Sequence, residues 1–326
     1  VNRPTVLVLG AGFIGAAVAH ALREHGCGVV VLTRSEPDAR RRIELAGARV
    51  VVGDATEVGT LASALRGIDE VVYAVGASSP VESDLDPAGD VAMVVPPLIR
   101  LLELLRLRPH VRLTFFSSGG AVYGNQRRLP VPESAPARPI SSYGIITLTC
   151  EQYIGMYTDA YGVSSTILRV GNAYGPFQPV SRGQGVIARL VRGAITGEVL
   201  PMFGLDGAIR DYVFIDDVAE VAARLVCRRE RPRLLNVGTG VGHPLREVLA
   251  LVRDVSGRTI PARPLERRSF DVTASVLDVT MLRSVMPFTP PGLRAGVERT
   301  WAQATVAVES LPRATGFAPS AAEPLA

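Results

Sequence analysis

Tyr143 opens the helical part of the stretch SSYGIITLTCEQY (141–153), and Thr147 follows four residues later, one helical turn along the same face. A phenol held on a helix can pass a proton to or from a substrate hydroxyl. Acidity is the difficulty, because a free tyrosine of pKa near 10 is only ~0.1% phenolate at pH 7. An ammonium about 4 Å away, at an effective dielectric of ~20, favours the charged form by up to ~4 kcal/mol, roughly three pKa units. This chain has none to offer, since all 35 of its basic residues are arginine. Thr147 could bond a ribose or a relaying water, but the expected state of a helix threonine is a bond back to the carbonyl one turn earlier. Ser117 and Ser118, in FFSSGGAVYG (115–124), add two hydroxyls at the end of an apolar run.

A second constellation suits phosphate. In VLVLGAGFIG (6–15), Gly10 permits a tight turn, Gly12 lets backbone approach a pyrophosphate, and Gly15 lets a helix pack closely. With Phe13 and Ile14, the first turn of that helix would face the phosphates. The second apolar run ends in Thr33-Arg34-Ser35, without the acid that accepts the ribose hydroxyls of NAD. Arg34 could pair with a 2′-phosphate and stack on adenine, which favours NADP over NAD; a solvated loop arginine is the alternative. Asp54 could accept from the adenine amino group, and Ala55 and Ala74 complete the candidate NAD(P) set.

Positioning these groups requires strands that alternate with helices. TVLVLG (5–10), GVVVLT (28–33), ARVVVG (48–53), EVVYAVG (70–76), RLTFFSS (112–118) and STILRVG (165–171) read as six central strands. Helices are predicted to begin near Ile14, Leu61, Val91 and Tyr143. The fold class is α/β, a Rossmann-type doubly wound parallel sheet with a small C-terminal lobe. After Gly175, GQGVIARLVRGAI reads as helix, EVLPMFG as extended, and RDYVFIDDVAEVAARLV as a strand and helix returning to the main sheet. The dinucleotide domain is expected over 1–172 plus about 209–240 and the lobe over 173–208 and 241–305, with a disordered Pro/Ala-rich tail at 311–326.

Bulk composition narrows the partners. With 326 residues at 47% hydrophobic, the chain can bury a large core. Its net charge of +4 is spread along the sequence, apart from knots such as RRR (40–42), so an anionic small molecule is expected and nucleic acid is not. Three scattered cysteines, Cys27, Cys150 and Cys227, suit reduced thiols, neither a disulfide framework nor a metal site. No apolar run reaches the ~18 to 20 residues of a membrane span, and the N-terminus has no leader pattern, so no membrane partner and a cytoplasmic location are expected.

With the glycine loop, FFSSGGAVYG, ISSYG, LRVGNAYGP, RDYVFIDDVAE and LLNVGTG in this order, residues 4–305 resemble the extended short-chain dehydrogenase/reductases. Within that group the chain is most similar to the nucleotide-sugar epimerases and dehydratases, although its glycine loop is one residue shorter than the usual G-x-x-G-x-x-G. The resemblance implies that Tyr143 removes a proton from a sugar hydroxyl while hydride passes to a nicotinamide. A UDP- or dTDP-hexose is the implied partner. Asn172 then matches the asparagine on the sugar-linked phosphate, Pro201 and Phe203 the uracil pocket, Arg210 and Arg268 the pyrophosphate arginines, and Asp271 the ribose-binding acid. Paired arginine forks suit phosphate oxygens.

The catalytic group departs from that pattern. Thr147 replaces the lysine, Gly119 stands where a serine or threonine is usual, leaving Ser118 beside it, and Val94 stands where many members have asparagine. Three functions follow: a C4 epimerase of a nucleotide hexose, an NADPH-dependent reductase of a 4-keto nucleotide sugar, or a silent module that binds dinucleotide and nucleotide sugar. Dehydration is disfavoured, because Gly119-Gly120 offers no acid. The resemblance also implies a homodimer, to which the apolar helix VAMVVPPLIRLLELL (91–105) would contribute.

Overall fold

The computed structural model describes residues 3–38, 41, 45–75, 79–179 and 185–309. The tail expected to be disordered, 311–326, lies outside the described residues, as does all but Arg41 of the RRR knot. The first half of the chain runs β1 (Thr5–Leu9), α1 (Phe13–Glu24), β2 (Gly28–Thr33), β3 (Arg49–Val52), α2 (Val58–Ala64), β4 (Glu70–Tyr73), α3 (Pro80–Leu85), α4 (Pro87–Leu105), β5 (Arg112–Ser118), α5 (Ser142–Tyr161) and β6 (Ser165–Val170). The second half continues with β7 (Asn172–Tyr174), α6 (Val186–Thr196), β8 (Leu200–Phe203), β9 (Ile209–Phe214), α7 (Ile215–Val226), β10 (Leu234–Val237), β11 (Gly242–Pro244), α8 (Leu245–Ser256), β12 (Ala262–Leu265), β13 (Ala274–Ser275), α9 (Thr280–Val285) and α10 (Leu293–Glu309).

Seven strands form a parallel sheet in the order β10-β6-β5-β4-β1-β2-β3. All six expected strands are in it. They read as continuous apolar runs because both faces are covered, so Val6 through Leu9 are fully buried. Val6, Val8 and Val31 pack under α1, α7 and α9, whereas Leu7, Leu9 and Val71 pack under α2, α4 and α5. Period-two alternation within each strand therefore feeds two separate cores. The helix that carries Tyr143 has a defined start and stop. Ser141 accepts from the Gly144 amide at 3.1 Å, and Gly162 ends the helix in the left-handed region at φ 72°.

The lobe holds two small sheets. Strand β8 pairs with β12, and β9 pairs with β7, β11 and β13 around a third core built on α6, α8 and α10. One expectation is corrected here: RDYVF, expected to rejoin the main sheet, forms β9 of the lobe instead. Its backbone edges are taken by β7, β11 and β13. Only its following helix α7 returns, packing on α1, and β10 from LLNVGTG becomes the seventh strand.

Candidate active site

A cleft of about 380 Å³ opens between the sheet's C-terminal edge and the lobe. Phe13 and Ile14 from α1, Ser118 from β5, Tyr143 from α5 and Asn172 from β7 line it on one side. Pro201, Phe203, Arg210, Arg268 and Asp271 line it on the other. Ten residues spread over 259 positions of sequence thus share one cavity, at the strand ends where doubly wound folds bind ligands.

The glycine loop is shaped to admit a dinucleotide. Gly10 sits at φ 95°, where a side chain would be strained and its Cβ would lie 2.9 Å from the Ala74 carbonyl oxygen. At Gly15 a Cβ would meet the Gly10 carbonyl at 2.0 Å, so the helix is held against its own loop. Gly12 differs: a Cβ there would meet nothing within 4 Å, which leaves backbone open to an approaching phosphate. Helix α1 has no side-chain cap and no acid in its first turn, so its leading N–H groups compete with no anion of the chain. Farther along the same sheet edge, Arg34 and Asp54 are both exposed at the ends of adjacent strands β2 and β3, with Ala55 next in line. Hydrogen bonds from Thr56 hold the Asp54 carboxyl below its usual range, and Arg34 adds to the effect.

Tyr143 lies half-buried in the first turn of α5. Burial raises its phenol pKa above the ordinary value, hydrogen bonding to Ser118 and Thr147 opposes the rise, and the Asp90 carboxylate of α4 adds to it. The charged side chain that acts on the phenol is therefore an anion, the reverse of an ammonium. Thr147 donates its hydroxyl to the Tyr143 carbonyl oxygen at 2.8 Å, as Thr149 and Thr158 do to residues four positions back. Thr147 is buried and does not line the cleft. A serine at position 119 would not fit as things stand, since a Cβ there lies 2.8 and 2.9 Å from the methyls of Leu277 and 3.1 Å from the Arg169 carbonyl. Val94 is buried in the core under α4 and α5.

Ser117 and Ser118 point to different environments. Ser117 donates to Glu151, whose carboxylate also takes the Arg169 guanidinium, in a buried ion pair under α5. That guanidinium lies 4.6 Å from the Tyr123 ring, whose hydroxyl donates to Asn236 at 2.8 Å. Arg169 is thus neutralised, and the phenol gains no nearby cation from it.

In the lobe, Arg210 donates to the carbonyls of Ile209 and Thr273 at 2.9 and 3.1 Å, and burial lowers its pKa. Arg268 grips Asp271 through two parallel bonds of 2.8 and 2.9 Å, while its guanidinium carbon lies 4.9 Å from the rings of both Phe203 and Phe270. Sequence reasoning missed Phe270, although it stands between Arg268 and Asp271. It also missed Arg189, which lines the cleft from α6 and donates to the Pro201 carbonyl at 3.2 Å. Asp90 gave no sequence signal beyond an acid near a helix start. Asp211 was masked by its neighbour Arg210, yet its buried carboxylate accepts from the amides of Thr239, Gly240 and Leu277 and from the Thr239 hydroxyl. These bonds tie the GTG turn and the 277 segment to β9. Among the described residues, no group of three or more His, Cys, Asp or Glu side chains could hold a metal ion, and no helix is long and apolar enough to cross a membrane.

Comparison with known proteins follows the same outline. The model of the NAD dependent epimerase/dehydratase family matches residues 6–238. The UDP-glucose 4-epimerase of Corynebacterium glutamicum is 30% identical over 308 residues, covering 90% of this chain and 93% of that protein. That of Mycolicibacterium smegmatis is 31% identical over 307 residues, covering 91% and 96%. The crystal structure of Thermus thermophilus UDP-glucose 4-epimerase in complex with NAD superposes with a TM-score of 0.85 at 30% identity, covering 92% of this chain and 98% of the other.

Proposed function

The chain belongs to the NAD-dependent epimerase/dehydratase family, and on that premise we propose that it is a nucleotide-sugar epimerase acting at C4 of an NDP-hexose. The observation that carries this reading is the single cleft shared by Tyr143, Ser118, Asn172, Phe203, Arg210, Arg268 and Asp271. NAD(P), seated along Gly10, Gly12 and Gly15, would supply the site that accepts and returns hydride. Tyr143 takes the proton of the C4 hydroxyl and gives it back, with Ser118 bonded to the phenol. Asn172, Arg210 and Arg268 hold the diphosphate while the hexose turns, and Pro201, Phe203 and Asp271 hold the UDP or dTDP nucleoside. The dinucleotide falls to residues 1–172 and, with β9 in the lobe, about 215–240, and the nucleotide sugar to 173–214 and 241–305. Arg34 carries the preference for NADP over the NAD bound in the Thermus structure; titrating both dinucleotides into the free protein decides it.

Turnover of UDP-glucose and UDP-galactose without added cofactor is the primary assay. Tyr143→Phe should lower kcat at least ~100-fold with little change in KM; retention of full activity removes the phenol from the mechanism. A second reading is favoured by one observation, the raised pKa of the Tyr143 phenol, which burial causes first and the Asp90 carboxylate adds to. A protonated Tyr143 suits the reduction of a 4-keto nucleotide sugar, in which it only donates. Stoichiometric NADPH consumption with a keto sugar, and none with UDP-glucose, would select the reductase.

A homodimer through α4 and α5 belongs to the same proposal. Val91 and Met93 on α4 and Ile145, Met156 and Tyr161 on α5 are exposed large apolar side chains on two helices that pack together.

A further inference from the structure

Cys27 and Cys227 stand 200 positions apart in sequence, yet their sulfurs are 3.8 Å apart. Cys27 lies in the turn that leads from α1 into β2, and Cys227 caps the C-terminal end of α7. The two helices pack side by side on one face of the main sheet. Cys227 is exposed and Cys27 is buried, while Cys150 is buried in the other core, under α5. The Arg3 guanidinium donates to the Cys227 sulfur at 3.7 Å. The Cys27 thiol is pushed up to about 12 by burial first and then by the charge of its neighbour. Cys227 is the sulfur that an external oxidant meets, and Cys27 is the one placed behind it.

We propose that Cys27 and Cys227 form a hydroperoxide-sensitive dithiol that closes to a disulfide between α1 and α7. In the first step Cys227 gives up its proton and its sulfur attacks one peroxide oxygen; an S–O bond forms, the O–O bond breaks, and the departing hydroxide takes that proton as water, leaving Cys227 as the sulfenic acid. In the second, Cys27 gives up its proton and attacks the Cys227 sulfur, forming S–S and expelling hydroxide, which takes that proton as water. Two thiols lose two electrons, and one hydrogen peroxide becomes two waters. Closing the sulfurs from 3.8 Å to the ~2.05 Å of a disulfide needs a movement that an exposed residue at a helix end can make.

The link lies at the N-terminal edge of the sheet, opposite the glycine loop. It closes a loop of two hundred residues, so it restricts the unfolded chain strongly and leaves the cleft untouched.

The full chain is treated with hydrogen peroxide, denatured, alkylated, and analysed by mass spectrometry beside a reduced control. The expected product has lost two hydrogens, carries one alkylated thiol in place of three, and yields a peptide joining Cys27 to Cys227. Its melting temperature rises by about 5 °C or more, and dithiothreitol reverses the rise. Cys227→Ser, at an exposed position remote from the cleft, should show neither change and should keep the untreated protein's activity and melting temperature. Three alkylated thiols after treatment, or Cys227 carried to sulfinic acid with Cys27 still free, overturns the proposal. Because the readout is covalent, it does not depend on which sugar nucleotide the protein turns over.

Discussion

At the scale of single residues, the site is unusual in the sign of its electrostatics. A phenolate at Tyr143 is opposed by burial and by Asp90, and no lysine exists anywhere in the chain to relieve it. The proton-abstracting form is the deprotonated one, so a raised pKa means that kcat/KM should still be climbing above pH 9, where an ordinary phenol is beginning to titrate. A pH profile that levels off near neutrality would assign the base to another group. Thr147→Lys places an ammonium one turn from the phenol; it should raise kcat tenfold or more, by about 1.4 kcal/mol of barrier, and move the acidic limb to lower pH. Phe270 makes a different kind of contribution. Its ring and that of Phe203 share the Arg268 guanidinium, which marks an aromatic slot beside the ribose-binding candidate Asp271. Phe270→Ala should weaken UDP binding by about tenfold, the equivalent of one stacked contact, and leave NAD binding unchanged. Isothermal titration with each ligand separates the two effects.

Among elements, the lobe is tied to the main sheet by polar groups more than by strand pairing. Asp211 on β9 receives three amides and a hydroxyl from the segment after β10 and from Leu277. Truncating it would leave the buried Leu277 amide and the half-buried donors of Thr239 and Gly240 without their acceptor, at a cost of about 1–3 kcal/mol. Asp211→Ala should therefore lower the urea midpoint and disturb Arg210, its chain neighbour, so that affinity for UDP falls as well. Ser141 is a gentler probe. Removing the N-cap of α5 should cost about 1 kcal/mol and shift Tyr143 without unfolding the sheet. Chemical denaturation measures both.

For the molecule as a whole, the exposed apolar side chains of α4 and α5 are the surface feature that predicts association. Ile145 and Met156 are 54% and 43% exposed, so charge placed on them disturbs little inside the subunit. Replacing both with glutamate should convert a dimer to a monomer in analytical ultracentrifugation while leaving dinucleotide binding in place. A wild-type chain that sediments at monomer mass rules the dimer out.

Much of this protein was legible in its sequence. Parallel strands covered on both faces must be apolar throughout, so VLVLG, GVVVLT and their partners announced the main sheet. The glycine spacing announced the turn at Gly10 and the open backbone at Gly12. The sequence also settled that Thr147 could bring no charge. It could not show that RDYVF leaves the sheet for the lobe, because an apolar strand looks the same in either place and only its neighbours' edges decide. Nor could it show that the Asp90 charge acts on the phenol, that Leu277 fills the space beside Gly119, or that Cys27 meets Cys227. Each of those depends on segments brought together across tens to hundreds of residues, and distances of that kind are set by how helices pack on the sheet.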